Sequence, residues 1–216
     1  LGYGAETEAI RQQATRLTTF ALPTTIEEDA AKLLCKMAGW QQVRWCKNGS
    51  DATEAAVRLA RFMTNRWVVL TNSYHGSHSD VVCATNGKFG GVLAECDADI
   101  WPCPSPAEML ERITKQGREV GCILAEPMTP TQPKWPWAKI ISAAHKVGAL
   151  VVFDEVITGF RMHPGPALSA PRPDLACYGK AIANGMPLAA LAGPRKLMRH
   201  LEQDVFMSGT AAGECL

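Results

Sequence analysis

Short apolar runs separated by longer, helix-patterned segments recur along the whole 216-residue chain, and this alternation restricts the possible folds more than any other feature. Seven runs qualify as strands: VRWCK (43–47), WVVLT (67–71), GVLAEC (91–96), GCILAE (121–126), ALVVFD (149–154), DLACYG (174–179) and LAALAG (188–193). Between them, Ala56, Leu59, Ala60 and Met63 repeat at helical spacing after Ser50, and Ile140, Ile141, Ala144 and Val147 do so before the fifth run. Strands alternating with helices predict an α/β fold, a largely parallel sheet covered by helices. Residues 101–107 (WPCPSPA) and 129–137 (TPTQPKWPW) are proline-rich and read as connections, too short for domain linkers. At this length, one main domain with one sizeable core is expected.

Composition narrows the function classes. Twenty-two Lys and Arg against 21 Asp and Glu leave a net charge of +1, too little for a field that would hold a nucleic-acid backbone or an anionic membrane. No run approaches the length of about 20 apolar residues that a membrane span needs, and LGYGAETEAIRQQ has no basic-then-apolar leader pattern. The expectation is a cytoplasmic protein acting on small molecules. Eight scattered cysteines without a C-x-x-C pair read as small buried hydrophobes, so neither a disulfide framework nor a metal site is expected.

In doubly wound sheets ligands gather at the carboxyl ends of the strands, so the residues closing each run carry the chemical information. After the first run, Asn48, Gly49 and Ser50 lead directly into a helix. Glycine permits close backbone approach, and a helix N-terminus offers free N–H groups to a phosphate, although for this stretch alone an ordinary helix cap is the commoner explanation. The second run leads to SYHGSHSD, where Tyr74 could lie against a planar ligand with His75 as a polar neighbour. Asp154 closes the fifth run, a carboxylate at the edge of a dry sheet that needs a partner. A magnesium-binding acid of a nucleotide hydrolase would require a G-x-x-x-x-G-K-[ST] loop, and GPRKLM and GKFGG do not match it. The other reading is a counter-ion to a protonated heterocycle such as that of pyridoxal phosphate, whose aldehyde condenses with a lysine. Lys180, leaving the sixth run in PDLACYGKAIANGMP, is placed to return to that same edge.

Taken together, KNGSDATEAAVRLAR, YHG, LAEPM, FDEVITGFR, PDLACYGKAIANGMPLAALAG and SGTAAGE resemble the class III aminotransferases of pyridoxal-phosphate fold type I, in particular the glutamate-1-semialdehyde aminomutase branch. The matches run in family order over nearly the whole chain. The resemblance implies a three-layer α/β/α large domain with a mostly parallel seven-stranded sheet, over residues 1–216, without the family's N-terminal segment and small C-terminal domain. It implies pyridoxal 5'-phosphate as cofactor and no metal. Lys180 matches the Schiff-base lysine that also moves the substrate proton, and Asp154 the acid that keeps the pyridine nitrogen protonated. Gly49 and Ser50 match the phosphate-binding turn, where relatives often carry threonine second. Tyr74 matches the stacking aromatic, with His75 and Val156 also expected at the cofactor, and Glu126 a carboxylate near the substrate side. Gly209 and Thr210 match residues that reach the partner's phosphate, which implies a homodimer. Residues 162–172 look compressed relative to the family loop. The implied function is an aminotransferase or aminomutase acting on a small amino acid or amino aldehyde. The alternative is a non-catalytic cofactor-binding module that partners or regulates a full-length relative.

Overall fold

The computed structural model describes residues 3–16, 18, 19, 22–78, 90–92, 98–128, 134–209 and 211–215. Within them, β1 (Gln42–Cys46), β2 (Val68–Thr71), β3 (Ile100–Pro102), β4 (Val120–Ala125), β5 (Leu150–Glu155), β6 (Leu175–Tyr178) and β7 (Ala189–Gly193) pair in the order β1-β7-β6-β5-β4-β2-β3. Strand β7 runs antiparallel to both of its neighbours, and the remaining pairs are parallel. Every residue of β2, β4, β6 and β7 is buried, as a sheet covered on both faces requires.

Side chains alternate between the faces with the period of two that a pleated strand imposes. On one face, Cys122, Leu124, Val152, Leu175, Cys177 and Leu191 pack under helix α3 (Gly49–Thr64), whose Ala52, Ala55, Ala56, Leu59 and Ala60 form the contact stripe. Four alanines bring that helix close to the sheet. On the other face, Ile123, Ala125, Val151 and Phe153 meet Met109 and Ile113 of α4 (Pro106–Gln116) and Ile140, Ile141 and Ala144 of α5 (Trp137–Val147). Toward the β7 edge, Leu34 and Ala38 of α2 (Thr25–Ala38) cover Ala176, Tyr178, Ala190 and Ala192. The result is the expected α/β/α arrangement of three layers.

Local chemistry sets the helix ends. Thr24 and Glu27 form a reciprocal capping box that starts α2, and Gly39 ends it with a left-handed φ of 70°. Ser105 caps α4, with Pro106 at the first helical position. Helix α1 (Gly4–Ala14) buries no residue, and α6 (Arg195–Met198) and α7 (His200–Gln203) are single turns after β7.

Six of the seven expected strands form. The GVLAEC run lies mostly outside the described residues, which include only its first two positions. The seventh strand of the sheet is Ile100–Pro102, inside the stretch read as a proline-rich connection. Only Ile100 of these three is buried, and Pro102 lacks an N–H for a ladder, a tolerable defect on an edge strand.

Candidate functional site

The alternation along β5 points Val152 and Asp154 toward the α3 face, while Val151, Phe153 and Glu155 point away. Asp154 is buried at the carboxyl end of the strand. Its Oδ1 accepts from the Val156 backbone N–H at 3.1 Å, and its Oδ2 lies 2.9 Å from Nδ1 of His75, whose side chain is completely shielded from solvent. A buried carboxylate needs such partners, since without them the neutral acid would be favoured.

His75 is held there by the loop that follows β2. Asn72 clamps the loop to the end of β4, donating to the Glu126 carbonyl at 3.0 Å and accepting from the Glu126 N–H at 2.9 Å. At the loop's far end, the Thr53 hydroxyl reaches the His75 carbonyl at 2.7 Å, and the Ser77 N–H donates to Ser50 Oγ at 3.0 Å. Loop 72–78 is thereby fastened to the first turns of α3. Gly76 makes this possible: its φ is +122°, and a Cβ there would stand 2.9 Å from Ser50 Oγ and 3.0 Å from Ser50 Cα. Gly76→Ala is expected to destabilise the fold by about 1–3 kcal/mol and to loosen the loop from α3. Urea denaturation, together with amide exchange at Ser77, measures both effects.

Helix α3 starts at Gly49, with Asn48 accepting from the Asp51 N–H at 2.9 Å. The first-turn N–H groups of a helix lack intrahelical acceptors, and here that turn lines the cleft. Gly49 permits the close packing, because a Cβ would lie 2.8 Å from Cγ1 of Val156. Gly179 faces the same Val156 methyl at 3.2 Å from its own would-be Cβ. Val156 is thus wedged between two glycines and forms the apolar floor between the helix end and the end of β6.

Lys180 opens a short 3-10 turn (Lys180–Ala183) directly after β6, with a left-handed φ of 42° that a non-glycine residue adopts only under constraint. It is exposed and lines the same cleft of about 540 Å³ as Gly49, Ser50, Tyr74, His75, Glu126, Asp154 and Val156. Burial raises the Glu126 carboxyl above its ordinary range and Asp154 adds to this, while a Ser73 hydrogen bond and the charges of His75 and Lys180 act against it. Tyr74 is half exposed.

All the expected site residues except Thr210 therefore fall within the described residues, and all of those except Gly209 line one cleft. Gly209 lies on the wall of a separate depression of about 410 Å³, beside Lys47, Asp51 and His78. Thr210 lies outside the described residues. The sequence reading missed Asn72, Ser73 and Arg161. The first two follow the strand WVVLT immediately, so the rule of strand carboxyl ends could have found them. Arg161 lines the cleft with its Nε donating to the Ile157 carbonyl at 3.1 Å.

The sequence profile of the family described as aminotransferase class-III matches residues 5–215. The chain belongs to the class III aminotransferase family. A curated relative in it, the glutamate-1-semialdehyde 2,1-aminomutase of Methanothermobacter thermautotrophicus, is 34% identical over 226 residues, covering 95% of this chain and 54% of its own. The chain thus spans about half the length of the curated relatives it matches. Among solved structures, a β-phenylalanine aminotransferase from Variovorax paradoxus is 25% identical with a TM-score of 0.84, covering all of this chain and 52% of its own. An omega-transaminase from Sphaerobacter thermophilus superposes with a TM-score of 0.90 at 23% identity, over 99% of this chain and 56% of that one, a likeness of fold. Pyridoxal phosphate is the cofactor of this family.

Proposed function

We propose that the cleft binds pyridoxal phosphate and that residues 1–216 are the cofactor-binding large domain of an aminotransferase or aminomutase similar to the glutamate-1-semialdehyde enzymes. The observation that carries this reading is that a lysine, a buried carboxylate and a helix N-terminus converge on one cleft. Each matches one part of the cofactor: Lys180 its aldehyde, Asp154 its ring nitrogen, and the Gly49-Ser50 end of α3 its phosphate. The fit also holds at the level of space. Neither Gly49 nor Gly179 has a Cβ, and both leave their room to Val156, so a flat ring has an apolar surface to rest on. Tyr74 is free to cover the opposite face.

When bound, the cofactor supplies an electron sink that stabilises a carbanion at the substrate's α-position. The chain supplies the rest. Asp154 keeps a proton on the ring nitrogen by its charge, and His75 holds the Asp154 carboxylate in place. Lys180, on its strained turn, takes the proton from the substrate carbon and returns it. Tyr74 and Glu126 border the space for the substrate. Gly209 and Thr210 would complete the phosphate site of a second copy in a homodimer, and the protein would work in the cytoplasm on a small amino acid or amino aldehyde.

Addition of pyridoxal phosphate to the purified chain is expected to produce a visible absorption band that borohydride bleaches, with the reduced cofactor recovered on the peptide containing Lys180. Labelling of another lysine, or no band at all, would sink this assignment.

A further inference from the structure

Behind Asp154 and Lys180 runs a continuous polar chain. Asp154 Oδ2 meets His75 Nδ1 at 2.9 Å, the other ring nitrogen of His75 lies 3.4 Å from Ser73 Oγ, and the Ser73 side chain hydrogen-bonds the Glu126 carboxyl. The ends of β5, β2 and β4 each contribute to it. The His75 ring is fully shielded and Ser73 is half-buried, whereas Glu126 lines the cleft. The charged groups acting on Glu126 are Asp154, His75 and Lys180.

Counting hydrogens decides what such a chain can do. A hydroxyl has one hydrogen to donate, and an imidazole with Nδ1–H given to Asp154 has a second one only as the cation. With Asp154 ionised, two arrangements satisfy every member. In the first, His75 is an imidazolium, its Nε2–H donates to Ser73 Oγ, and the Ser73 O–H donates to an ionised Glu126. In the second, Glu126 is the neutral acid, its O–H donates to Ser73 Oγ, and the Ser73 O–H donates to the bare Nε2. Both hold the same number of protons. Passing from the second to the first breaks the Glu126 O–H bond as Ser73 takes that proton, and breaks the Ser73 O–H bond as Nε2 takes the other. Burial opposes the charge-separated arrangement, and the carboxylate of Asp154 beside the ring opposes the neutral one.

We propose that Ser73 is a positioning residue that passes one proton between His75 and Glu126, making Glu126 the cleft-facing end of a relay whose other, buried end is Asp154. This deepens the reading of the cleft given above and rests on it for its use. A cation bound against Asp154 competes with the imidazolium, so the proton moves to Glu126. The carboxyl at the substrate side then becomes an acid when the Asp154 position is filled, without any proton being drawn from solvent.

The test uses the full chain without cofactor, so that its failure is distinguishable from failure of cofactor binding. With histidine labelled in ¹⁵N and glutamate in ¹³C, the His75 Nε2 and Glu126 Cδ signals are followed against pH. In the wild type both signals are expected to show the same apparent midpoints, because the protons of coupled sites come off in macroscopic steps that belong to the pair. In Ser73→Ala the two midpoints are expected to separate by about one pH unit or more. Ser73→Thr, which keeps the hydroxyl, is expected to restore the shared step. Independent single steps in the wild type, or a shared step that survives in Ser73→Ala, would overturn the proposal.

Discussion

Lys180→Ala is expected to bind pyridoxal phosphate without the borohydride-stable link, and to lose amino-group transfer altogether. The side chain is exposed and lies at the mouth of a cleft, so its removal empties no part of the core. Folding stability should change by less than ~0.5 kcal/mol, as for other exposed positions away from packing. The left-handed φ of 42° persists in alanine and adds no new strain relative to lysine. Cofactor would still be held by the α3 N-terminus and by Asp154, but reversibly, so dialysis should strip it from the variant and not from the wild type. A lysine amine is the nucleophile that this chemistry requires, and the other lysine lining the cleft, Lys47, has its ammonium paired with Glu214 at 2.7 Å. Arg161, which also lines the cleft, is always protonated and cannot form the bond. Equilibrium dialysis and an amine-donor assay, run on both proteins, check the two halves of the prediction. Retention of a reducible link in Lys180→Ala would remove Lys180 from its role.

Asp154 and Lys180 were legible in the sequence for the same reason: each ends an apolar run with a charge. A strand buried on both faces tolerates a charged residue only where it emerges, so ALVVFD and DLACYGK announce their own carboxyl ends. Glycines 49 and 76 could be noticed but not explained, because what they avoid is Val156 in one case and Ser50 in the other, contacts made across the fold. The His75 to Asp154 bond joins residues 79 positions apart and depends on the strand order β5-β4-β2, which no local pattern encodes. Strand β3 was hidden for a different reason. With three residues, one of them proline, it has too few positions to show a period, and its pairing rests on the β2 edge that it meets. The antiparallel course of β7 was equally invisible, since an apolar run such as LAALAG does not encode its direction and only the short return through Asn184-Gly185-Met186 turns it around. Helices α1 and α2 lie ahead of the first recognised strand. Their sequences bury few residues, two in α2 and none in α1, so the apolar period that marks α3 is weak there.

Glu155→Gln is expected to make the fold increasingly more stable than the wild type as pH rises. Glu155 points to the face opposite Asp154, is buried, and accepts the Ala167 N–H on Oε2 at 2.5 Å. Burial raises its carboxyl from an ordinary 4.5 to about 7; the Ala167 hydrogen bond works against this, and the neighbouring Asp154 charge adds to it. An acid whose folded value lies above its unfolded one binds more protons when folded, so its contribution to stability is complete below 4.5 and is lost as pH climbs through about 7. The distance between those values corresponds to roughly 3 kcal/mol at 1.36 kcal/mol per pH unit. Glutamine has the same shape and can accept the Ala167 N–H, but it does not titrate. Its amide hydrogens need an acceptor that a protonated carboxyl needs only once, and this cost is the same at every pH. The decisive quantity is therefore the change in the difference between variant and wild type. Urea unfolding at pH 5 and at pH 8 should show that difference moving in favour of Glu155→Gln by about 2–3 kcal/mol. Asp154 is present in both proteins, and its action on the Glu155 carboxyl is part of the effect measured. The effect also bears on the cleft, because the Ala167 contact anchors the segment that follows β5 and carries Arg161 to the site. Ionisation of Glu155 above neutral pH places a second buried negative charge beside Asp154 and so weakens the strand end that carries both carboxyls. A difference that stays constant between pH 5 and pH 8 would mean that Glu155 ionises without cost, and that its burial is relieved by groups other than the Ala167 amide.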